Sequence, residues 1–237
     1  MKKVNLYNNT DSIKINQSLY DHFNGFIISD DRNVFNKMCT RIRLFEQVKE
    51  LNGDIVECGV FKGSGLLTWL KLVDMYQPNS IKKVIGFDFF GNEFVDNIVD
   101  EVDRETMRQV FSRDTKLDMD DISLEGIKKK IVSSGFKDSK YDLVKGDISF
   151  TSQNYLKDRP GFRISLLYLD LDLDKPTYDT LINFWDRIVD GGCVVFDEYA
   201  YHSWSESNAV DRFLKDKNIK LINTHVHAPT AYFIKEK

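Results

Sequence analysis

The segment Leu166-Leu-Tyr-Leu-Asp170-Leu-Asp172-Leu-Asp174 sets three aspartates at alternate positions behind an apolar run. In an extended chain side chains alternate, so the three acids are expected on one face. Like charges that close repel, and the pattern calls for compensation. Asp174 precedes Lys175-Pro176-Thr177 and is expected to cap the helix that Pro176 helps to start. Asp172 is expected to bind backbone in the same turn, which leaves Asp170 at the end of an apolar strand. Asp197 and Glu198 end the next apolar run, which begins at Cys193. Neighbouring strands of a sheet lie about 5 Å apart. Asp170, Asp197 and Glu198 are therefore expected to form one set of hard oxygen ligands suited to Mg²⁺. A set of caps and salt bridges to Lys or Arg is the alternative.

A second group of residues follows an earlier apolar run. Asp54-Ile-Val-Glu57-Cys-Gly59 leads into Val60-Phe-Lys62-Gly63-Ser64-Gly65 and then a helical stretch. Glycines at such a turn let the backbone approach a ligand, and the free N–H groups of the new helix attract an anion. The spacing Gly59, Gly63, Gly65 is neither a Walker A loop nor G-x-G-x-x-G. A tight turn without a ligand is the alternative reading. Glu57, on a buried strand, needs a positive or hydrogen-bonding partner, which a ligand ammonium would supply. Asp88 ends the run Lys83-Val-Ile-Gly-Phe and is followed by Phe89. An acid there accepts hydrogen bonds from ribose hydroxyls in doubly wound folds, or caps a turn. Asp147, between Gly146 and Ile148, is placed either to bind the exocyclic amine of an adenine or to sit solvated in a loop.

The elements that must position these residues alternate along the chain. Apolar runs at 54–59, 83–88, 141–146, 165–170 and 193–197 are separated by helical stretches at 65–76, 122–135 and 177–189. This pattern describes a parallel sheet covered on both faces, with nearly continuous apolar strands. Runs at 220–224 and 231–235 are joined by only residues 225–230, too short for a crossover, so they are expected to pair antiparallel. Ahead of the sheet, Val34, Met38, Ile42, Phe45 and Val48 predict an amphipathic helix over 33–51, stopped by Asn52 and capped by Gly53. Residues 89–121 read as a charged helical insertion beside the site. The chain is expected to divide into an N-terminal helical cap, 1–52, and a catalytic domain, 53–237, in one compact unit.

The 237 residues carry a net charge of −4, with 42% hydrophobic and 30% charged residues, an ordinary globular composition. The basic residues are scattered, which argues against nucleic acid as the main partner. Residues 1–20 are polar and no stretch reaches membrane-span length. Three widely spaced cysteines, Cys39, Cys58 and Cys193, disfavour a disulfide framework or a zinc site and fit a reducing, cytoplasmic setting. A homodimer is the default expectation for assembly.

Taken together, Glu57 to Gly65, Gly86-Phe-Asp88, Leu169-Asp-Leu-Asp-Leu-Asp-Lys-Pro-Thr177, Gly191-Gly192, Phe196-Asp-Glu-Tyr199 and Pro229-Thr-Ala-Tyr232 resemble the macrocin/mycinamicin-type O-methyltransferases. The resemblance implies a class I, Rossmann-like α/β fold of seven strands, mostly parallel with one antiparallel strand near the C-terminus. It implies S-adenosylmethionine held by Glu57, Gly59, Lys62, Gly63, Ser64, Gly65, Asp88, Phe89, Gly146, Asp147, Ile148 and Asp170. It also implies a divalent cation, usually Mg²⁺, and a sugar or nucleotide-linked sugar hydroxyl as acceptor. The family's strand-end aspartate, a metal ligand and candidate base, falls on Asp170. Its metal pair falls on Asp197 and Glu198, with Glu replacing Asp at the second position. The family's Leu-Tyr-Glu segment reads Leu173-Asp174-Lys175 here. His202, His225 and His227 are rival bases, and Tyr199, Tyr201 and Trp204 form an aromatic cluster able to stack on an acceptor or make a lid or dimer contact. A nicotinamide-dependent oxidoreductase is disfavoured by the glycine spacing, and a non-catalytic cofactor-binding subunit by the intact acids. An N-methyltransferase or a non-sugar O-methyltransferase on the same fold stays open.

Overall fold

The structure, a computed structural model, describes residues 17–113 and 117–236. Two helices, α1 (Gln17–Ile28) and α2 (Arg32–Val48), precede β1 (Asp54–Cys58), α3 (Ser64–Tyr76) and β2 (Val84–Asp88). A 3₁₀ turn at Val95–Asn97 leads to α4 (Glu101–Arg113), α5 (Met119–Ile122) and α6 (Leu124–Ser133). Then come β3 (Tyr141–Lys145), α7 (Ile148–Lys157), β4 (Ile164–Leu169), α8 (Asp174–Phe184) and β5 (Ile188–Phe196). The chain closes with α9 (Glu206–Leu214), β6 (Ile222–Asn223) and β7 (Ala231–Ile234).

The strands form one sheet in the order β3-β2-β1-β4-β5-β7-β6. The first five are mutually parallel, and β7 runs antiparallel to both β5 and β6. This is the expected seven-stranded α/β architecture with its C-terminal hairpin. Chain order reverses between β1 and β4, so the carboxyl ends of these two strands open the crevice in which doubly wound sheets take ligands. Both faces of the sheet are covered. Ile55, Leu166, Tyr168, Cys193 and Val195 pack with α2, α3 and α6 through Phe45, Trp69 and Ile127. Val56, Leu167, Leu169, Val194 and Phe196 pack with α7, α8 and α9 through Tyr155, Leu181 and Val210.

Several boundaries differ from the sequence expectations. The helix expected over 33–51 with Gly53 as its cap spans Arg32–Val48, with Lys49 as its cap. Gly53 instead takes φ +115°, and a Cβ there would lie 3.0 Å from the Ser165 backbone nitrogen; it lets β1 enter the sheet against β4. β4 stops at Leu169 and Asp172 is left-handed at φ +64°, so the three aspartates do not share an extended face. Asp174 does not cap α8. Leu173 occupies that position, Ser205 Oγ accepts from the Asp174 N–H at 2.8 Å, and the Asp174 carboxylate pairs with Arg212 at 2.6 and 3.0 Å.

Helix α1 falls within the expected N-terminal helical segment, whereas α7 and α9 were not foreseen in the sequence. α7, with the sequence ISFTSQNYLK, is rich in Ser, Thr and Asn, which compete for their own backbone and lower helix propensity. Its N-terminus is held by Asp147, whose carboxylate accepts from the Ser149 N–H at 2.9 Å. β5 begins at Ile188 rather than at residue 193, because Ile188 pairs with Ile164 across an irregularity that the two glycines accommodate. The helical insertion is present as α4 and α5. The cysteines are free, and among the described residues no helix is long and apolar enough to cross a membrane.

Candidate active site

The turn after β1 is fastened from three directions. Gly59, at φ +91°, sits so close to the end of β4 that a Cβ would lie 1.8 Å from the Asp170 carbonyl oxygen. The Asp170 N–H donates to Cys58 O at 2.8 Å, so the two strand ends touch through backbone alone. Asp88 Oδ2 accepts from the N–H groups of Val60 at 2.6 Å and Phe61 at 3.0 Å, and Oδ1 from Phe90 at 2.6 Å. Three of its roughly four acceptor positions are thus used on the turn, with room for one further donor. Gly63, left-handed at φ +85°, leads into α3, whose first amide groups face the opening and favour a negative group.

A cavity of about 650 Å³ opens over these strand ends. Of the residues singled out in the sequence, Glu57, Gly59, Lys62, Ser64, Gly65, Asp88, Phe89, Gly146, Ile148, Asp170 and Glu198 line it. Its size and largely apolar wall suit a drug-sized ligand. Gly63 lies behind the lining as the helix cap. Asp147 caps α7 and faces a neighbouring cavity of about 1090 Å³ together with His202. Asp197 lines neither cavity. His227 Nδ1 lies 2.6 Å from the Tyr201 hydroxyl, in the region of the C-terminal hairpin.

Two contributors to the site were missed in the sequence, and a third was expected in another role. Lys37 and Arg41, one helical turn apart on α2, both reach into the cavity. Lys37 Nζ lies 2.6 Å from Asp197 Oδ2 and 3.3 Å from Asp170 Oδ2. Arg41 pairs with Glu57 at 3.4 Å, and its guanidinium lies 4.9 Å from the Tyr168 ring centroid. Two basic side chains on the buried face of an amphipathic helix were the available signal, since such charges are almost never buried without partners. The third is Asp172, which joins Asp170 and Glu198: one oxygen of each lies within 4.8 Å of the others. The insertion supplies an apolar wall through Met107, Val110 and Phe111.

Charge dominates the chemistry here. Burial raises the Glu57 carboxyl to about 8, against the opposing pull of Arg41, and its Oε2 has no hydrogen-bond partner. Burial and the repulsion of Asp197 raise Asp170 to about 6, although Lys37 and Arg41 pull it down. Burial and Asp170 bring Asp172 to about 7. Glu198 is pushed well above the usual range by burial and by Asp170, Asp197 and Asp172. Burial acts to lower Lys37, yet Asp170 and Asp197 outweigh it and hold the ammonium charged. Carboxylates outnumber cations at this floor; Asp172 and Glu198 share a hydrogen bond, and Glu198 Oε2 is sealed from solvent. A hard divalent cation fits such a donor set.

A parallel sheet reversing beside a glycine turn, with strand-end acids below a cavity for a nucleoside-sized ligand, defines a class I S-adenosylmethionine-dependent methyltransferase. The sequence profile of the macrocin-O-methyltransferase (TylF) family matches residues 44–235, and the chain belongs to that family. No curated protein matches it. Among solved structures it is similar to CalS11, a TDP-rhamnose 3′-O-methyltransferase of calicheamicin biosynthesis, at 24% identity and a TM-score of 0.68, covering 96% of this chain and 90% of that one. The O-methyltransferase NovP aligns at 21% identity and a TM-score of 0.70, over 85% of this chain and 80% of its own. The S-adenosylhomocysteine-bound methyltransferase PaMTH1 of Podospora anserina aligns at 11% identity and a TM-score of 0.53, over 95% and 98%.

Proposed function

We propose that this enzyme methylates a hydroxyl of a sugar, free or nucleotide-linked, in polysaccharide or natural-product biosynthesis, with help from a divalent cation such as Mg²⁺. The carrying observation is the meeting of the glycine turn with the acids Asp170, Asp172 and Glu198 on the wall of one cavity. Glu57, Gly59, Lys62, Ser64, Gly65, Asp88, Phe89, Gly146 and Ile148 hold the cofactor in this reading, with Gly63 and Asp147 shaping the helix starts behind it. S-adenosylmethionine supplies an electrophilic methyl group when bound. A cation held at the strand-end acids supplies Lewis-acid assistance to the acceptor hydroxyl.

The chain's own residues do the rest. Asp170, raised only to about 6, is ionised near neutral pH and within range of the operating pH that suits a general base; it takes the proton of the acceptor hydroxyl at a carboxylate oxygen. The α3 amides and Asp88 fix the donor side. Phe94, Phe111 and Trp204 give the cavity an apolar wall, and holding the two reactants in line accounts for much of the rate. The N-terminal segment 1–52, of which residues 1–16 lie outside the described residues, is read as a cap on the domain 53–237, a role supported within 17–52 by Lys37 and Arg41 reaching the strand ends. The free cysteines agree with a cytoplasmic setting. The exposed apolar side chains Leu19, Tyr20, Phe23, Ile27 and Ile28 of α1 support a homodimer, since contiguous apolar patches mark interfaces.

The test is a methyl-transfer assay with a panel of sugars and nucleotide sugars, with and without Mg²⁺. Product bearing a new O-methyl group, lost on chelation and restored by Mg²⁺, is the expected outcome. Turnover indifferent to EDTA removes the cation from the reaction, and methylation of amines alone removes the hydroxyl acceptor.

A further inference from the structure

The start of α9 spends its polar side chains on other segments of the chain. A serine ahead of a helix ordinarily turns its hydroxyl onto the first amides of that helix. Ser205 makes no such bond. Its Oγ instead accepts from the Asp174 N–H at 2.8 Å and donates to Asp103 Oδ2, in α4, at 2.6 Å. The Glu206 N–H donates to Asp172 O at 3.1 Å, and Glu206 Oε1 accepts from the Glu198 N–H at 3.3 Å. Ser207 Oγ accepts from the Ala200 N–H at 2.8 Å. Three successive residues thus clasp the loop after β4, the loop after β5 and the insertion. Each loop bends through a left-handed residue other than glycine, Asp172 at φ +64° and Ala200 at φ +69°. Such backbone persists only where its surroundings hold it.

Glu206 is the least expected member of this clasp. It is fully buried, and its Oε2 has no hydrogen-bond partner. Burying a carboxyl with one oxygen unmet costs stability that an apolar side chain of the same length would not. Packing therefore gives no reason for an acid here, whereas holding the Glu198 backbone does. We propose that Glu206 is a positioning residue of the reaction. Through Glu198 and Asp172 it fixes the two loops that carry the strand-end acids, and through its neighbour Ser205 the same junction is tied to α4. That helix walls the cavity with Met107, Val110 and Phe111, so acids and wall are set relative to one another at a single point. The inference rests on the reading that the strand-end acids serve the acceptor.

Amide hydrogen exchange by NMR on the whole protein, urea unfolding, and methyl-transfer kinetics with the acceptor found in the sugar panel test it. Glu206→Met keeps an unbranched side chain and removes the oxygen that holds the Glu198 N–H. Exchange of the Glu198 amide is expected to quicken at least about tenfold, with a urea midpoint no lower than that of wild type. Turnover is expected to fall about tenfold or more, while S-adenosylhomocysteine affinity by calorimetry stays within threefold. Glu206→Gln keeps an oxygen for the Glu198 N–H and is expected to recover most of the lost turnover. Unchanged exchange at Glu198, or a Glu206→Met enzyme with kcat within threefold of wild type, overturns the inference. A Glu206→Met protein that fails to fold also overturns it, because the acid then serves the core. Exchange is read without any acceptor. A wild-type protein that methylates no sugar therefore overturns the acceptor reading, and the Glu198 amide still decides the clasp.

Discussion

Gly59 offers the sharpest perturbation, because a single Cβ there strikes backbone rather than a movable side chain. Two effects add in Gly59→Ala. The backbone stands at φ +91°, a region that costs an alanine roughly 1–2 kcal/mol. The new Cβ would also lie 1.8 Å from the Asp170 carbonyl oxygen, whereas ordinary non-bonded approach begins near 3.4 Å; the ends of β1 and β4 must then part by about 1.5 Å. Overpacking of this kind costs about 1–3 kcal/mol, for a total near 3–4 kcal/mol and a Tm lower by about 10 °C. Because the displaced residue is Asp170, misplacement on the order of 1 Å is expected to lower kcat about 100-fold. Two controls separate the effects. Gly135→Ala, at φ +88° with nothing within 4 Å, is expected to show the backbone penalty alone. Gly161→Ala, which also meets nothing within 4 Å, is expected to stay within about 0.5 kcal/mol of wild type. Urea unfolding and steady-state kinetics are the assays. A Gly59→Ala enzyme with kcat within threefold of wild type, and no less stable than Gly135→Ala, refutes the contact between the strand ends.

Asp170→Asn is expected to lower turnover about 10²- to 10⁴-fold while S-adenosylhomocysteine affinity by calorimetry stays within threefold; near-normal turnover would remove Asp170 as the base. Arg41→Met removes the cation beside the buried Glu57 and is expected to cost up to about 3–5 kcal/mol in urea unfolding above pH 8, where Glu57 is ionised, and less below it, with the loss reduced when Glu57→Gln is added; strict additivity in that cycle above pH 8 would deny the pairing. Glu57 is raised by burial to about 8 in the fold against about 4.3 when unfolded. Its stabilising contribution is complete below the unfolded value and fades as pH climbs to about 8. The stability of Glu57→Gln relative to wild type should therefore rise across that window, whatever constant offset the lost charge imposes on Arg41. A difference that is flat with pH, measured by thermal melts, would rule out the burial of this carboxyl.

Much of the scaffold was readable in advance for a simple reason. Strands buried on both faces must be apolar along their whole length, and the runs ending at Cys58, Asp88 and Leu169 advertise this. The terminal hairpin was legible because residues 225–230 cannot make a crossover. Helix α7 was not, since its Ser- and Asn-rich sequence has little propensity of its own and depends on the Asp147 cap and on packing of Tyr155. Asp174 misled for a related reason: its type and place suit a cap, but Arg212, from α9, claims the carboxylate.

The chain by itself determined the sheet, the glycine turn and the presence of strand-end acids, because these depend on local composition and on periodicity. Tertiary structure alone decided how the acids are shared out. Lys37 reaches Asp170 across 133 residues of sequence. Asp197 and Glu198, adjacent in the chain just past β5, part company: Asp197 meets Lys37 and Tyr168, while Glu198 lies beside Asp170 and Asp172. A left-handed residue at Asp172 turns what reads as a strand into a corner that brings its carboxylate to the others. Electrostatic partnership is a matter of distance in space, and sequence order carries little of it.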